Sequence, residues 1–72
     1  MSLLDRRVVM RLCTERGWEV GDLAKHSQVP IASLYKYLHR RKPVRPPRQR
    51  VCALANAFEL DQVTDLLAQE DA

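Results

Sequence analysis

The chain has 72 residues and a formal net charge of +3, with 46% apolar and 29% charged residues. A domain this short buries only about 60% of the surface its unfolded chain exposes, which leaves little chain for a deep catalytic cleft. This apolar content excludes a disordered chain, two Gly and four Pro exclude a collagen-like or linker segment, and two cysteines are too few for a disulfide scaffold. No apolar run approaches the roughly 18 residues of a membrane span, and Asp5, Arg6 and Arg7 interrupt any secretory leader. One domain over 1–72 is expected, with no membrane association.

The charge is strongly segregated. Residues 1–22 balance four Arg against four acids, residues 23–58 carry eight Lys or Arg and no acid, and residues 59–72 carry five acids and no base. A long block of one sign repels itself and is best explained by a polyanionic partner. The plainer alternative is a solvated basic face.

The first predicted helix covers 3–16. Leu4, Val8 and Leu12, with Val9 and Cys13, recur at i, i+4 and form one apolar stripe. Ser2 reads as its N-cap with Asp5 three residues on, and Gly17 as its left-handed stop. A second helix covers 20–27, with Leu23 and Ala24 inward and Asp22 in the first turn, where the helix dipole favours an acid. Gln28-Val29 make the turn, and Pro30 opens a third helix over 30–40. Its Leu34, Tyr37 and Leu38 face one way; Ile31, Ala32, Tyr35, Lys36 and His39 face the other.

Pro43, Pro46 and Pro47 forbid a helix over 40–47, which therefore reads as a stiff basic loop. A fourth helix covers 47–58, with Val51, Leu54, Ala55 and Phe58 at i, i+3, i+4, i+7. A fifth covers 61–69, capped by Asp61 and carrying Val63, Leu66 and Leu67. No stretch alternates like a strand, so the fold class is all-α.

The second and third helices meet at a tight corner. Ala24 lets the backbones approach, Val29 plugs the joint, and Leu34 with Leu38 closes it. This is the packing logic of a helix-turn-helix, whose second helix offers its outer face to a DNA major groove. Leu12, Gly17, Leu23-Ala24, Val29, Leu34, Tyr37-Leu38, Leu54-Ala55, Phe58-Glu59-Leu60 and the final Leu66-Leu67 together resemble the Cro and lambda-repressor type proteins, the XRE family. The resemblance spans roughly residues 8–68. It implies a compact five-helix lambda-repressor-like domain that binds operator DNA, often as a dimer, in a cytoplasmic protein of prokaryotic or phage type. The chain departs from the family pattern at Val20, where Gln is usual, at Gln28, where Gly is usual, and at Pro30, Ile31 and Ala32, where polar residues are usual.

The expected base contacts are Ile31, Ala32, Tyr35, Lys36 and His39. Lys36 suits guanine N7 or O6, and Ile31 and Ala32 suit thymine methyls. Ser33, Arg40, Arg41, Lys42, Arg45 and Arg48 are expected on phosphates. Leu60, Val63, Leu66 and Leu67 are expected at a homodimer interface, which would place two recognition helices about 34–36 Å apart on a palindrome. A second hypothesis is a protein-interaction module, antitoxin- or anti-repressor-like, that docks a protein partner on the apolar Ile31/Ala32 surface.

Cys13 and Cys52 read as small core hydrophobes, and Trp18 as a core or staple residue. With His26 and His39 the cysteines make no zinc spacing, no nucleophile lies beside a base, and no Gly-rich phosphate loop follows a strand. No metal, cofactor, small-molecule substrate or enzymatic activity is expected. The chain lacks the aromatic platforms of single-strand RNA readers.

Overall fold

The structure, a computed structural model, describes residues 3–68. Asp5 starts the first helix, α1 (Arg6–Glu15): its carboxylate accepts the N–H groups of Arg7 and Val8 at 3.1 and 3.4 Å. The cap therefore sits at Asp5, with the helix beginning three residues later than predicted, and Ser2 lies outside the described residues. Val9 and Cys13 point into the core. Gly17 (φ 68°) ends the helix in the left-handed region, and the Trp18 N–H returns to the Cys13 carbonyl at 2.8 Å. An added Cβ at Gly17 would meet nothing within 4 Å, so backbone conformation rather than crowding favours glycine there.

The second helix, α2, spans Val20–Ser27, as predicted. Asp22 accepts the Glu19 N–H at 2.9 Å, so the first-turn acid also serves as a cap. Ser27 is the one polar residue in the described core. Its hydroxyl donates to the Leu23 carbonyl at 2.7 Å and accepts the Val29 N–H at 3.3 Å, which removes the cost of burying it. Gln28 takes the left-handed conformation (φ 61°), Val29 is buried, and Pro30 caps the third helix, α3 (Ile31–Tyr37). α3 is shorter than the predicted 30–40 at both ends. Pro30 stands outside it, and beyond Leu38 the chain turns away.

The loop that follows lacks regular structure up to Pro47. It is pinned by the Val44 N–H on the Lys36 carbonyl at 3.0 Å and by the fully buried Pro46. The fourth helix, α4 (Arg48–Ala57), buries Val51, Leu54 and Ala55, and Phe58 is buried just beyond it. Glu59 (φ 59°) then reverses the chain.

The predicted fifth α-helix over 61–69 is instead a single 3₁₀ turn, Val63–Leu66, preceded by Gln62 rather than capped by Asp61; residue 69 lies outside the described residues. After it the backbone extends and pairs with the N-terminal segment. Leu4 and Leu67 form an antiparallel bridge, the Asp5 N–H donates to the Leu66 carbonyl at 2.7 Å, and the Ala68 N–H donates to the Leu3 carbonyl at 2.8 Å. These long-range hydrogen bonds take the carbonyls and amides that another helical turn would need. Among the described residues there are thus four α-helices, one 3₁₀ turn and no strand.

α2 packs on α3 and α4, and the 3₁₀ turn closes over α1 and α4. The core holds Leu4, Val9, Cys13, Leu23, Val29, Leu34, Leu54, Phe58 and Leu66. The radius of gyration, 11.1 Å, matches the roughly 11 Å of a compact domain this long.

Candidate nucleic-acid interface

The corner of α2 and α3 decides which side chains reach solvent. Leu34 and Tyr37 anchor α3 in the core, so the opposite face must point outward. Ile31, Ala32, Tyr35 and Lys36 are exposed there, with Tyr35 58% and Ile31 41% accessible. Ser33 is half-buried at the edge of this face, a poorer position for phosphate than its sequence position suggests. α3 is seven residues long, about 10 Å, against a DNA major groove about 12 Å wide.

His39, Arg40, Arg41, Lys42, Arg45 and Arg48 are all exposed. The Val44–Lys36 hydrogen bond folds the loop back to the last turn of α3, so the exposed basic residues of the loop follow directly on that helix. His39 lies outside α3, in the turn that follows it. Its Nδ1 accepts the N–H groups of Arg41 and Lys42 at 3.2 and 3.1 Å, an engagement that nothing in the sequence suggested. Arg50 behaves differently from its basic neighbours. Its Nη1 is sealed from solvent without a hydrogen-bond partner among the described residues.

The side of the corner toward α2 is apolar. Gly21, Ala24, Val29, Pro30 and Ile31, with Lys25 and Gln28 at its border, line an open groove of about 540 Å³. Ile31 leans over Gly21: its Cδ1 lies 3.9 Å from where a Cβ would stand.

Behind this surface an aromatic group braces the ends of the helices. Trp18 stacks on His26 with ring centroids 4.2 Å apart and on Phe58 at 5.8 Å. Arg16 lies over both Trp18 and Phe58 and donates to the Phe58 and Leu12 carbonyls at 2.7 and 3.2 Å. One guanidinium thus satisfies carbonyls near the ends of α1 and α4. Trp18 is a staple, as its position suggested. Cys13 is buried, and burial pushes its thiol pKa up, with Arg16 lowering it and Asp22 raising it. The thiol stays protonated and unreactive. Cys52 is half-buried, and both cysteines are free.

The expected dimer residues divide. Leu66 is fully buried in its own core and has no surface to offer a partner. The 3₁₀ turn, tied to the N-terminal segment through the Leu66 carbonyl, holds this residue inward. Leu60, Val63 and Leu67 pack against the core and remain half-exposed. Among the described residues no helix is long and apolar enough to cross a membrane.

No protein-family model matches the chain, and neither a curated protein nor a solved structure matches it.

Proposed function

We propose that the chain is a sequence-specific double-stranded-DNA-binding regulator of the Cro and lambda-repressor type, most simply a small cytoplasmic repressor. α2 and α3 form its helix-turn-helix, and α3 enters the major groove. One observation carries this proposal. The exposed basic loop is hydrogen-bonded back to the last turn of α3, whose outer face is exposed, and no acid occurs anywhere from residue 23 to 58.

Lys36 reads guanine, Ile31 and Ala32 meet thymine methyls, and Tyr35 contacts an adjacent base. Arg40, Arg41, Lys42, Arg45 and Arg48 neutralise phosphates, with Ser33 at the margin. A homodimer on a palindrome has Leu60, Val63 and Leu67 left for its interface, since Leu66 is committed to the core. The chain works without a cofactor and performs no catalysis.

The apolar groove around Ile31 favours a second proposal, a module that binds a protein partner there. A double substitution separates the two. Lys36→Ala with Arg41→Ala abolishes duplex binding at 150 mM salt under the first proposal and leaves a partner complex intact under the second. Ile31→Asp is the damaging change under the second. Wild-type affinity for duplex that does not change between 50 and 200 mM salt would overturn the phosphate contacts, and no affinity at either salt would overturn DNA binding.

A further inference from the structure

We infer that His39 is the positioning residue of the basic loop: its Nδ1 holds the backbone of Arg41 and Lys42, so that Arg40, Arg41 and Lys42 reach DNA phosphates already folded. The inference rests on the DNA-binding proposal and deepens it.

The hydrogen bonds dictate the state of the ring. Two backbone N–H groups converge on Nδ1, at 3.2 and 3.1 Å. An imidazole nitrogen that accepts carries no proton, so the neutral ring holds its proton on Nε2. Two consequences follow. The ring has one donor left and nothing with which to accept, so a direct contact is limited to an acceptor such as a phosphate oxygen. The lone pair on Nδ1 also gives an acceptor to the Arg41 and Lys42 amides, which lie beyond the end of α3 at Tyr37 and have no intrahelical carbonyl.

The segment has few other restraints. Residues 40–42 are irregular and exposed, and the next fixed points are the Val44–Lys36 hydrogen bond and buried Pro46. Without the imidazole, the stretch between Leu38 and Val44 must be ordered by the DNA itself. Ordering backbone on binding lowers affinity, and prior organisation avoids that loss. The three basic side chains keep their charge either way, so the salt dependence is retained while affinity falls.

The test uses the full chain. In the free protein at neutral pH, nitrogen-15 NMR is expected to show a proton on Nε2 of His39 and slowed exchange of the Arg41 and Lys42 amides. His39→Ala is expected to weaken binding about tenfold, equally for a selected site and for random duplex, with the salt slope unchanged. His39→Asn supplies a carbonyl oxygen to amides two and three residues on, as Asn does in turns, and is expected to restore most of the affinity. A proton on Nδ1 overturns the inference, as does full affinity in His39→Ala. A loss confined to one base position, unrescued by Asn, makes His39 a direct reader and also overturns it. In those three cases DNA binding by the wild type stands. Absence of duplex binding by the wild type overturns both proposals together.

Discussion

Leu66 offers the sharpest test of how the C-terminal segment is used. It is fully buried in a 3₁₀ turn whose backbone is tied to Asp5, so Leu66→Ala removes core volume and leaves the 2.7 Å hydrogen bond intact. A buried Leu→Ala change costs about 2–5 kcal/mol, from lost transfer energy and the cavity that remains. A chain of 72 residues has only about 4–11 kcal/mol in all, at ~0.05–0.15 kcal/mol per residue. With a urea slope near 1 kcal/mol/M for so small a domain, the midpoint is expected to fall by about 2–5 M. Urea unfolding followed by Trp18 fluorescence measures this at two protein concentrations a hundredfold apart. A core residue gives the same difference from wild type at both. An interface residue gives a difference that varies with concentration, by up to ~2.7 kcal/mol over that range. Leu66→Met, which keeps the volume, is expected to cost less than about 1.5 kcal/mol. A loss under about 1 kcal/mol for Leu66→Ala, or a difference that tracks concentration, would refute the placement of Leu66 in the core.

Other outcomes follow from single features. Gln28→Gly relieves a left-handed side-chain conformation (φ 61°) and is expected to raise stability by about 0.5–1 kcal/mol in thermal unfolding, because glycine carries no steric cost there. Asp5→Ala removes the cap of α1 and is expected to cost about 0.5–2 kcal/mol, with Asp5→Asn retaining most of it. Replacing thymine by deoxyuridine under Ile31 in a selected site removes only the methyl group. It is expected to weaken wild-type binding several-fold and to leave Ile31→Ala unaffected, as measured by fluorescence anisotropy. Lys42→Ala is expected to weaken all duplexes alike and to lower the salt slope by about 1.

The apolar periodicities located the packing. Leu34 and Leu38 were legible as the inward side of α3 from their helical spacing, and Leu23-Ala24 with Val29 as the corner it closes on, because Ala24 leaves room between the backbones. Val51, Leu54, Ala55 and Phe58 marked α4 in the same way, and the prolines marked the loop. Periodicity misled at both termini. Leu4 stands four residues before Val8 and so mimics a helical position, yet it precedes the Asp5 cap and bridges Leu67. Val63, Leu66 and Leu67 also fit a helix, but the hydrogen bonds that decide their conformation come from residues 3–5, more than 60 positions away. A local pattern carries no trace of such a partner.

The exposed face of α3 followed from its inward residues, so Ile31, Ala32, Tyr35 and Lys36 were legible. The roles of His39 and Arg16 were not. Each depends on where a helix stops and which backbone groups are then unpaired, and helix ends are fixed by capping geometry that composition does not encode. The stack of Trp18 on His26 joins a residue before α2 to one in its last turn, eight positions apart, a spacing with no pattern of its own.

The central claim is that the basic loop and the outer face of α3 together read duplex DNA. Selection of bound sequences from random double-stranded DNA, at 50 and 200 mM salt, tests it most directly. The account predicts salt-sensitive binding that enriches a palindrome with half-sites about one helical turn, 34–36 Å, apart. Salt-sensitive capture with no enriched sequence would contradict base reading by α3, and no capture at either salt would contradict DNA binding altogether.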